Sequence, residues 1–269
     1  MLELEHRFRV VDVHAQLEPD PDRRPSDGLG DPERLEREMH QAGVVRAVVY
    51  PNVREGNYLK ANNAVARMAV GRPMRALARI NGVRDPGNSP SARLRNVARR
   101  RSEKHTSPED VEQYGYEDRF VGFMLDPSAD GLPEDAVLQR LEDVGLPVLT
   151  YGGQGFRPET IEETLLAYDF PLVISHFGGY PLSEHLIART IDMLERHEGC
   201  FVDTSFVRLR DPLERAVMEH PDRVLFGSGA PAAHPSVAVM EILTLDVPED
   251  AMRKVFSKNA ARLFEPLSG

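Results

Sequence analysis

The feature that most constrains this chain is an alternation that runs from end to end: short β-branched runs take turns with longer amphipathic stretches. A strand buried on both faces reads as a brief apolar run, and the helix that covers it reads with a 3.6-residue period. The alternation therefore predicts βαβ units on a parallel sheet. Candidate strands are Arg9–His14, Val44–Tyr50, Met74–Ile80, Arg119–Leu125, Leu146–Tyr151, Leu172–His176, Cys200–Ser205 and Arg223–Ser228. Helix patterns lie between them at Asp31–Gln41, Gly56–Val70, Pro133–Val144, Pro158–Tyr168, Ser183–Glu198 and Pro212–Glu219, with a last one over Asp250–Leu263. Asp31-Pro32 and Asp211-Pro212 each set a capping acid before a proline at the first helical position.

Eight strand-helix units in 269 residues match an α/β fold of the (β/α)8 TIM-barrel type, which needs about 250 residues. The expectation is a single domain over residues 1–269. The turn-rich stretches Gly82–Pro90 and Pro127–Pro133 are short enough to be loops. An open doubly wound sheet would give the same alternation, but it usually carries a glycine-rich phosphate turn after the first strand. Here that turn reads Val13-His14-Ala15-Gln16-Leu17.

The formal net charge of -10 opposes non-specific binding to nucleic acid or to anionic lipid, both of which need a basic face. A small-molecule partner is the expectation. The one basic stretch, Arg93–Lys104 with Arg99, Arg100 and Arg101, lacks interleaved aromatic residues and reads as a solvated helix face rather than a phosphate-binding arm. Cys200 stands alone, so neither an internal disulfide nor a cysteine-based zinc motif is available. Met1–Arg9 lacks the basic start and apolar run of a secretory leader, and no apolar stretch reaches the length of a membrane span. These readings predict a cytoplasmic protein.

In a barrel of this type the chemistry sits at the C-terminal ends of the strands. Those ends are polar here: His14 and Gln16, Tyr50 and Asn52, Arg79 and Asn81, Tyr151 before Gly152-Gly153-Gln154, Ser175-His176, Asp203-Thr204-Ser205, and Ser228-Gly229.

The order of these ends resembles the amidohydrolase-2 family of decarboxylases and hydrolases. Val10-Val11-Asp12-Val13-His14-Ala15-Gln16 resembles its opening Asp-x-His-x-His, and Ser175-His176-Phe177-Gly178-Gly179-Tyr180-Pro181 its sixth-strand His-x-Gly-Gly. Phe201–Ser205 resembles the seventh strand, Leu225–Pro231 the eighth-strand Phe-Gly-Ser-Asp-x-Pro, and Lys258–Phe264 the closing helix. Each segment alone is a weak signal, but five in order over nearly the whole chain are specific.

The resemblance implies a metal site that this chain does not keep position by position. Gln16 stands at the second histidine of the opening motif, Tyr151 at the fifth-strand histidine and Gly229 at the eighth-strand aspartate. A catalytic zinc site normally has three good nitrogen, oxygen or sulfur ligands. The ligand count therefore predicts no tightly bound cofactor, leaving at most a weak or atypical divalent metal on His14, Gln16 and His176. His176, His14 and Tyr151 are the expected catalytic residues, as acid/base groups and as a hydrogen-bond donor to a developing oxyanion. Gln16, Asn52, Arg79, Gln154, Arg157, Asp203, Ser228 and His234 are expected to contact substrate. The expected activity is that of a hydrolase or lyase acting on a small cyclic or carboxylated substrate by acid/base chemistry, probed against two alternatives. One is a barrel that has lost catalysis and serves as a binding or scaffold protein, with Gly229 as its best evidence; the other is a metal-dependent enzyme with an atypical site. The family resemblance also admits a homodimer.

Overall fold

The computed structural model describes residues 6–23, 28–52, 57–87, 94, 96, 102 and 104–264. Eight parallel strands stand in sequence order: β1 (Val10–Leu17), β2 (Val44–Pro51), β3 (Met74–Ile80), β4 (Phe120–Leu125), β5 (Val148–Gly153), β6 (Leu172–Tyr180), β7 (Cys200–Asp203) and β8 (Val224–Leu225). The ring closes between β8 and β1. Val13 N donates to Phe226 O at 2.9 Å, Gly229 N to His14 O at 3.0 Å and Gln16 N to Ala230 O at 2.8 Å. The fold is a (β/α)8 barrel, as the alternation predicts.

Strand alternation sorts the apolar side chains into two layers. Val11, Val13, Val48, Leu77, Val121, Met124, Leu149, Val173 and Leu225 fill the barrel, joined by Ala260 and Phe264 of the closing helical segment. Their neighbours, such as Val10, Val49, Ala76 and Ile174, pack outward against Leu35, Met39, Val65, Leu138 and Ile187 of the surrounding helices. Burial on both faces explains why the strands read as continuous apolar runs.

Several helix expectations need correction. Asp31 does cap Pro32–Ala42, accepting from the backbone N–H groups of Glu33 and Arg34, but Asp211 caps nothing: its helix begins earlier, at Arg210, with Leu209 at the cap position. Pro108–Tyr116 is a helix with a Ser107/Asp110 capping box, although no helix was expected there. Pro127–Asp130 forms a short helix where a loop was expected. Pro235–Leu243 is a helix capped by His234. The last helix is broken over Lys254–Lys258 by a π-turn. Phe226 N takes the Val255 carbonyl at 3.0 Å, so a carbonyl inside the helical run serves the barrel wall instead. The basic run Arg99, Arg100 and Arg101 lies outside the described residues. Among the described residues, no helix is long and apolar enough to cross a membrane.

Cys200 opens β7 and is fully buried, and burial pushes its thiol up to about 12. Thiolate is the reactive form. Native protein is therefore expected to resist a thiol reagent, with labelling appearing along the same denaturant curve as loss of helical circular dichroism; rapid labelling in native buffer would contradict the buried placement.

Candidate active site

The site is built from five strands, β1, β2, β5, β6 and β7, with the strongest irregularity in β6. In β6 the backbone turns left-handed at three successive residues, His176 (φ 59°), Phe177 (φ 49°) and Gly178 (φ 63°). The β5–β6 register moves from Tyr151 opposite Ser175 to Gly153 opposite Tyr180, so the extra β6 residues bulge out of the ladder. Positive φ is costly for residues with a Cβ and is found where the surroundings enforce it, commonly at functional sites. At Gly178 the demand is also steric: a Cβ would lie 2.3 Å from Thr190 Oγ1. The bulge brings His176 to the wall of a cleft at the barrel mouth with a volume of about 870 Å³.

Beneath the cleft floor Asp203, at the end of β7, has no exposed surface. Its Oδ1 accepts from Ser205 N at 2.9 Å, from His176 N at 3.3 Å and from the Ser205 hydroxyl. Its Oδ2 accepts from His14 Nδ1 at 2.9 Å. Burial would raise this carboxyl, but the charge and hydrogen bond of His14, with help from His176 and Ser205, hold it well below the usual carboxylate range. His176 Nδ1 lies 3.0 Å from the Ser205 carbonyl and 2.8 Å from the Ser205 hydroxyl. A carbonyl can only accept, so Nδ1 carries the proton and Nε2 keeps a lone pair. Burial, and then the neighbouring His14, lower His176 to about 4, which keeps it neutral at pH 7.

On its other side His14 Nε2 lies 2.6 Å from Tyr50 Oη, which is 2.8 Å from Tyr151 Oη. Gln16 Nε2 donates to both hydroxyls. Burial raises the phenols of Tyr50 and Tyr151 above their ordinary value, so both remain protonated.

The sequence-predicted residues fall into three groups. Gln16, Asn52, Arg79, Tyr151, Gln154 and His176 line the cleft, Asn52 and Gln154 at its exposed rim. His14 and Asp203 lie directly below it. The remaining three are elsewhere. Ser228 is buried and spends its hydroxyl and N–H on Asp12, tying β1 to the segment after β8. Burial pushes the Asp12 carboxyl up to about 6, against these hydrogen bonds from Ser228 and one from His14 N, so its work is in the scaffold. Arg157 is exposed at the start of the helix Pro158–Thr164. His234 caps its helix through Nδ1 and faces Gln41 Oε1 through Nε2. Arg79 reaches the cleft but is committed: its Nε donates to Asp130 at 2.7 Å, Nη1 to the Pro51 carbonyl at 3.0 Å, and Asp126 lies 3.7 Å away.

Residue-by-residue reading missed Tyr50, Ser205 and Phe206. Tyr50 and Ser205 end expected strands and so carried a positional signal; Phe206 gave none. Phe206 explains Gly229. Its ring lines the cleft beside His176, and a Cβ on Gly229, which sits at φ +74°, would lie 2.5 Å from Cζ of that ring. The space next to the family's aspartate position is filled by an aromatic ring.

A family model described as amidohydrolase matches residues 11–265. The chain belongs to this family. It is accordingly an enzyme of the amidohydrolase family, a hydrolase or lyase, and the scaffold alternative is set aside. Comparison with curated proteins returns no match. Among solved structures it is similar to 5-carboxyvanillate decarboxylase from Sphingomonas paucimobilis, with 15% identity, TM-score 0.66, and 96% of this chain and 99% of that one covered. A 2,6-dihydroxybenzoate decarboxylase complexed with 2,6-dihydroxybenzoate gives 16% identity, TM-score 0.64, and 96% and 100% coverage. A dihydroxybenzoic acid decarboxylase from Polaromonas sp. JS666, solved with bound manganese and the inhibitor 2-nitroresorcinol, gives 14% identity, TM-score 0.64, and 96% and 97% coverage.

The expectation of no cofactor is overturned. His14, His176 and Asp203 bring ligand atoms within 4.8 Å of one another, all three residues buried, in a group that could hold a metal ion, and the fold neighbour just described was solved with manganese. Counting family positions failed because the carboxylate comes from β7: Asp203 was read as a substrate contact, while Gln16, offered as an atypical ligand, faces the tyrosines instead. The donor set fits a divalent ion. Two imidazoles and one carboxylate suit such cations, Asp203 is anionic, and its Oδ2 has one hydrogen-bond partner and so a second lone pair to offer.

Two substitutions test this geometry. Gly229→Asp, which restores the family's carboxylate, is expected to cost about 2–4 kcal/mol from steric overlap and a left-handed backbone. Urea unfolding measures that cost, and adding Phe206→Gly should recover much of it; an undiminished loss in the double variant would show that Phe206 is not the obstacle. Arg79→Met strands Asp130 in the interior and is expected to cost about 3–5 kcal/mol. A loss under 1 kcal/mol in the same experiment would mean that the ion pair is not buried as described.

Proposed function

We propose that the protein is a divalent-metal-assisted lyase that decarboxylates a small hydroxylated aromatic acid at the mouth of its barrel. The observation that carries the reading is the convergence of His14, His176 and Asp203 at the floor of a cleft large enough for one aromatic acid. Fold neighbours that are decarboxylases of hydroxybenzoates and of 5-carboxyvanillate support the substrate class.

The charge inventory of the cleft supports an ion as well. Arg79 is neutralised by Asp130 and Asp126, and Arg23, further out, pairs with Asp20 at 3.6 Å. A carboxylated substrate that reaches the floor of this cleft needs positive charge that, among the described residues, no arginine has to spare there. A divalent ion held by His14, His176 and Asp203 would supply that charge and polarise the substrate oxygens.

The protein's own groups divide the remaining work. Asp203 fixes His14 through Nδ1, and the Ser205 carbonyl fixes the His176 tautomer, so both rings are oriented before a ligand arrives. Tyr151 presents a protonated hydroxyl at the cleft wall, suited to an oxygen that gains negative charge as the reaction proceeds. Phe206 and Tyr180 add apolar walls that exclude water from an aromatic ring.

The test is release of carbon dioxide from dihydroxybenzoates and 5-carboxyvanillate by protein loaded with manganese. Turnover is expected to disappear with a chelator and return with added manganese, and elemental analysis is expected to find close to one ion per chain. His176→Asn is expected to lower turnover about a hundredfold or more, with the melting temperature within a few degrees of wild type. Turnover that survives both chelation and His176→Asn would overturn the proposal.

A further inference from the structure

Three residues of the site meet at one point that the family pattern does not explain. Gln16 and Tyr151 stand where the resemblance places two histidines, and in this chain both face Tyr50. Tyr50 Oη, fully buried, lies 2.6 Å from His14 Nε2, 2.8 Å from Tyr151 Oη and 3.2 Å from Gln16 Nε2. We infer that Tyr50 is a positioning residue that aims the Tyr151 hydroxyl at an anionic oxygen of the bound substrate, a phenolate or carboxylate. The inference rests on the small aromatic acid reading given above and assigns one contact within it.

Hydrogen-bond accounting carries the argument. The Gln16 amide has two hydrogens, and it donates to each of the two hydroxyls. A phenol has one hydrogen. In the structure the Tyr50 hydrogen is drawn to His14 Nε2, whose lone pair is open because Nδ1 donates to Asp203. Were that lone pair given to a divalent ion, Tyr50 would direct its hydrogen toward Tyr151 instead, and Tyr151 Oη would accept twice, from Tyr50 and from Gln16. Among the described residues its oxygen has no other hydrogen-bond partner, so its hydrogen is left for a ligand in the cleft it lines. Negative charge on that ligand favours this arrangement over the reverse one, in which Tyr151 donates inward.

Ring packing holds the oxygen in place. The Tyr151 ring stacks on His14 with centroids 5.5 Å apart and an interplanar angle of 11°, and it lies 5.1 Å from the His176 ring. The Tyr50 ring meets both His14 and Tyr151 edge-on, at 72° and 77°. A phenol held on three sides gives a ligand a donor at a fixed point, and orienting it costs little entropy on binding.

The probe is 2-nitroresorcinol, whose visible absorbance reports its ionisation, titrated into manganese-loaded wild type, Tyr151→Phe, Tyr50→Phe and the double variant. Tyr151→Phe is expected to weaken binding about tenfold or more, the usual consequence of removing a donor to a charged oxygen. Tyr50→Phe should weaken it less, about threefold to tenfold, and should have no further effect once Tyr151 is Phe, since it acts through that hydroxyl. If Tyr50→Phe does not fold, Gln16→Met, which removes the other donor to Tyr151 Oη, takes its place in the cycle. Unchanged affinity in Tyr151→Phe, an equal effect of Tyr50→Phe in both backgrounds, or a wild type that binds no probe would each overturn the inference. Carbon dioxide release is scored separately. Turnover with unchanged probe affinity in the variants leaves the decarboxylase reading standing and removes this one; weakened probe affinity in a protein without turnover does the reverse.

Discussion

Asp203 carries a negative charge into a place with no exposed surface, and the geometry of the site follows from how that charge is satisfied. An unpaired buried carboxylate would cost several kcal/mol, so every acceptor position it offers has structural value. One oxygen gathers Ser205 and the backbone of His176, and the other holds His14. Strands β1, β6 and β7 are therefore tied to a single side chain. The left-handed bulge of β6 is part of the same arrangement, because that path brings the His176 N–H toward Asp203 while its ring faces the cleft.

The departures from the family pattern are coupled to one another. Gly229 leaves room for the Phe206 ring, and the ring walls the cleft on the side where a longer residue at 229 would have projected. Gln16 and Tyr151 satisfy each other and Tyr50, so the two residues that replace imidazoles are hydrogen-bonded to one another and to a neighbouring strand. A barrel drifting without a function to hold it would be expected to fill such a mouth with apolar side chains. This one keeps a cleft with a polar floor in which nearly every donor is assigned.

Much of this was legible in the sequence, and the reason differs from part to part. Each strand was legible because burial on both faces leaves a dense apolar run, and His14, Tyr151 and His176 stand out because barrel chemistry follows strand ends. Asp203 was named as a polar strand end, but which histidine it meets was not legible, since a carboxylate from β7 is adjacent to His14 only after 189 residues of chain have closed the ring. Tyr50 was seen as a strand end without a role, as its partners lie on β1 and β5. The helix at Pro108–Tyr116 carries a local signal, Ser107 three residues before Asp110, but its apolar spacing is too sparse to announce a helix by period. His234 shows the converse error: a loop histidine near a barrel mouth invites a role in binding, yet its ring is used up as a helix cap.

Charge closes the argument about what this mouth can accept. The chain is strongly acidic as a whole, and the buried cation nearest the cleft, Arg79, is held between two carboxylates, so among the described residues an anion reaching the floor meets no uncompensated arginine. At neutral pH His176 is uncharged, and Asp203 adds a negative charge below the floor. Without an ion the protein offers an anionic substrate mainly neutral donors, which recognise shape and hydrogen-bonding pattern but do not offset charge. A cation on His14, His176 and Asp203 would reverse the sign of the floor while leaving those donors where they are. The arrangement thus separates two tasks that an arginine-based pocket would combine: charge compensation falls to three buried ligands, and selection among substrates falls to Tyr151, Gln16 and the aromatic walls above them.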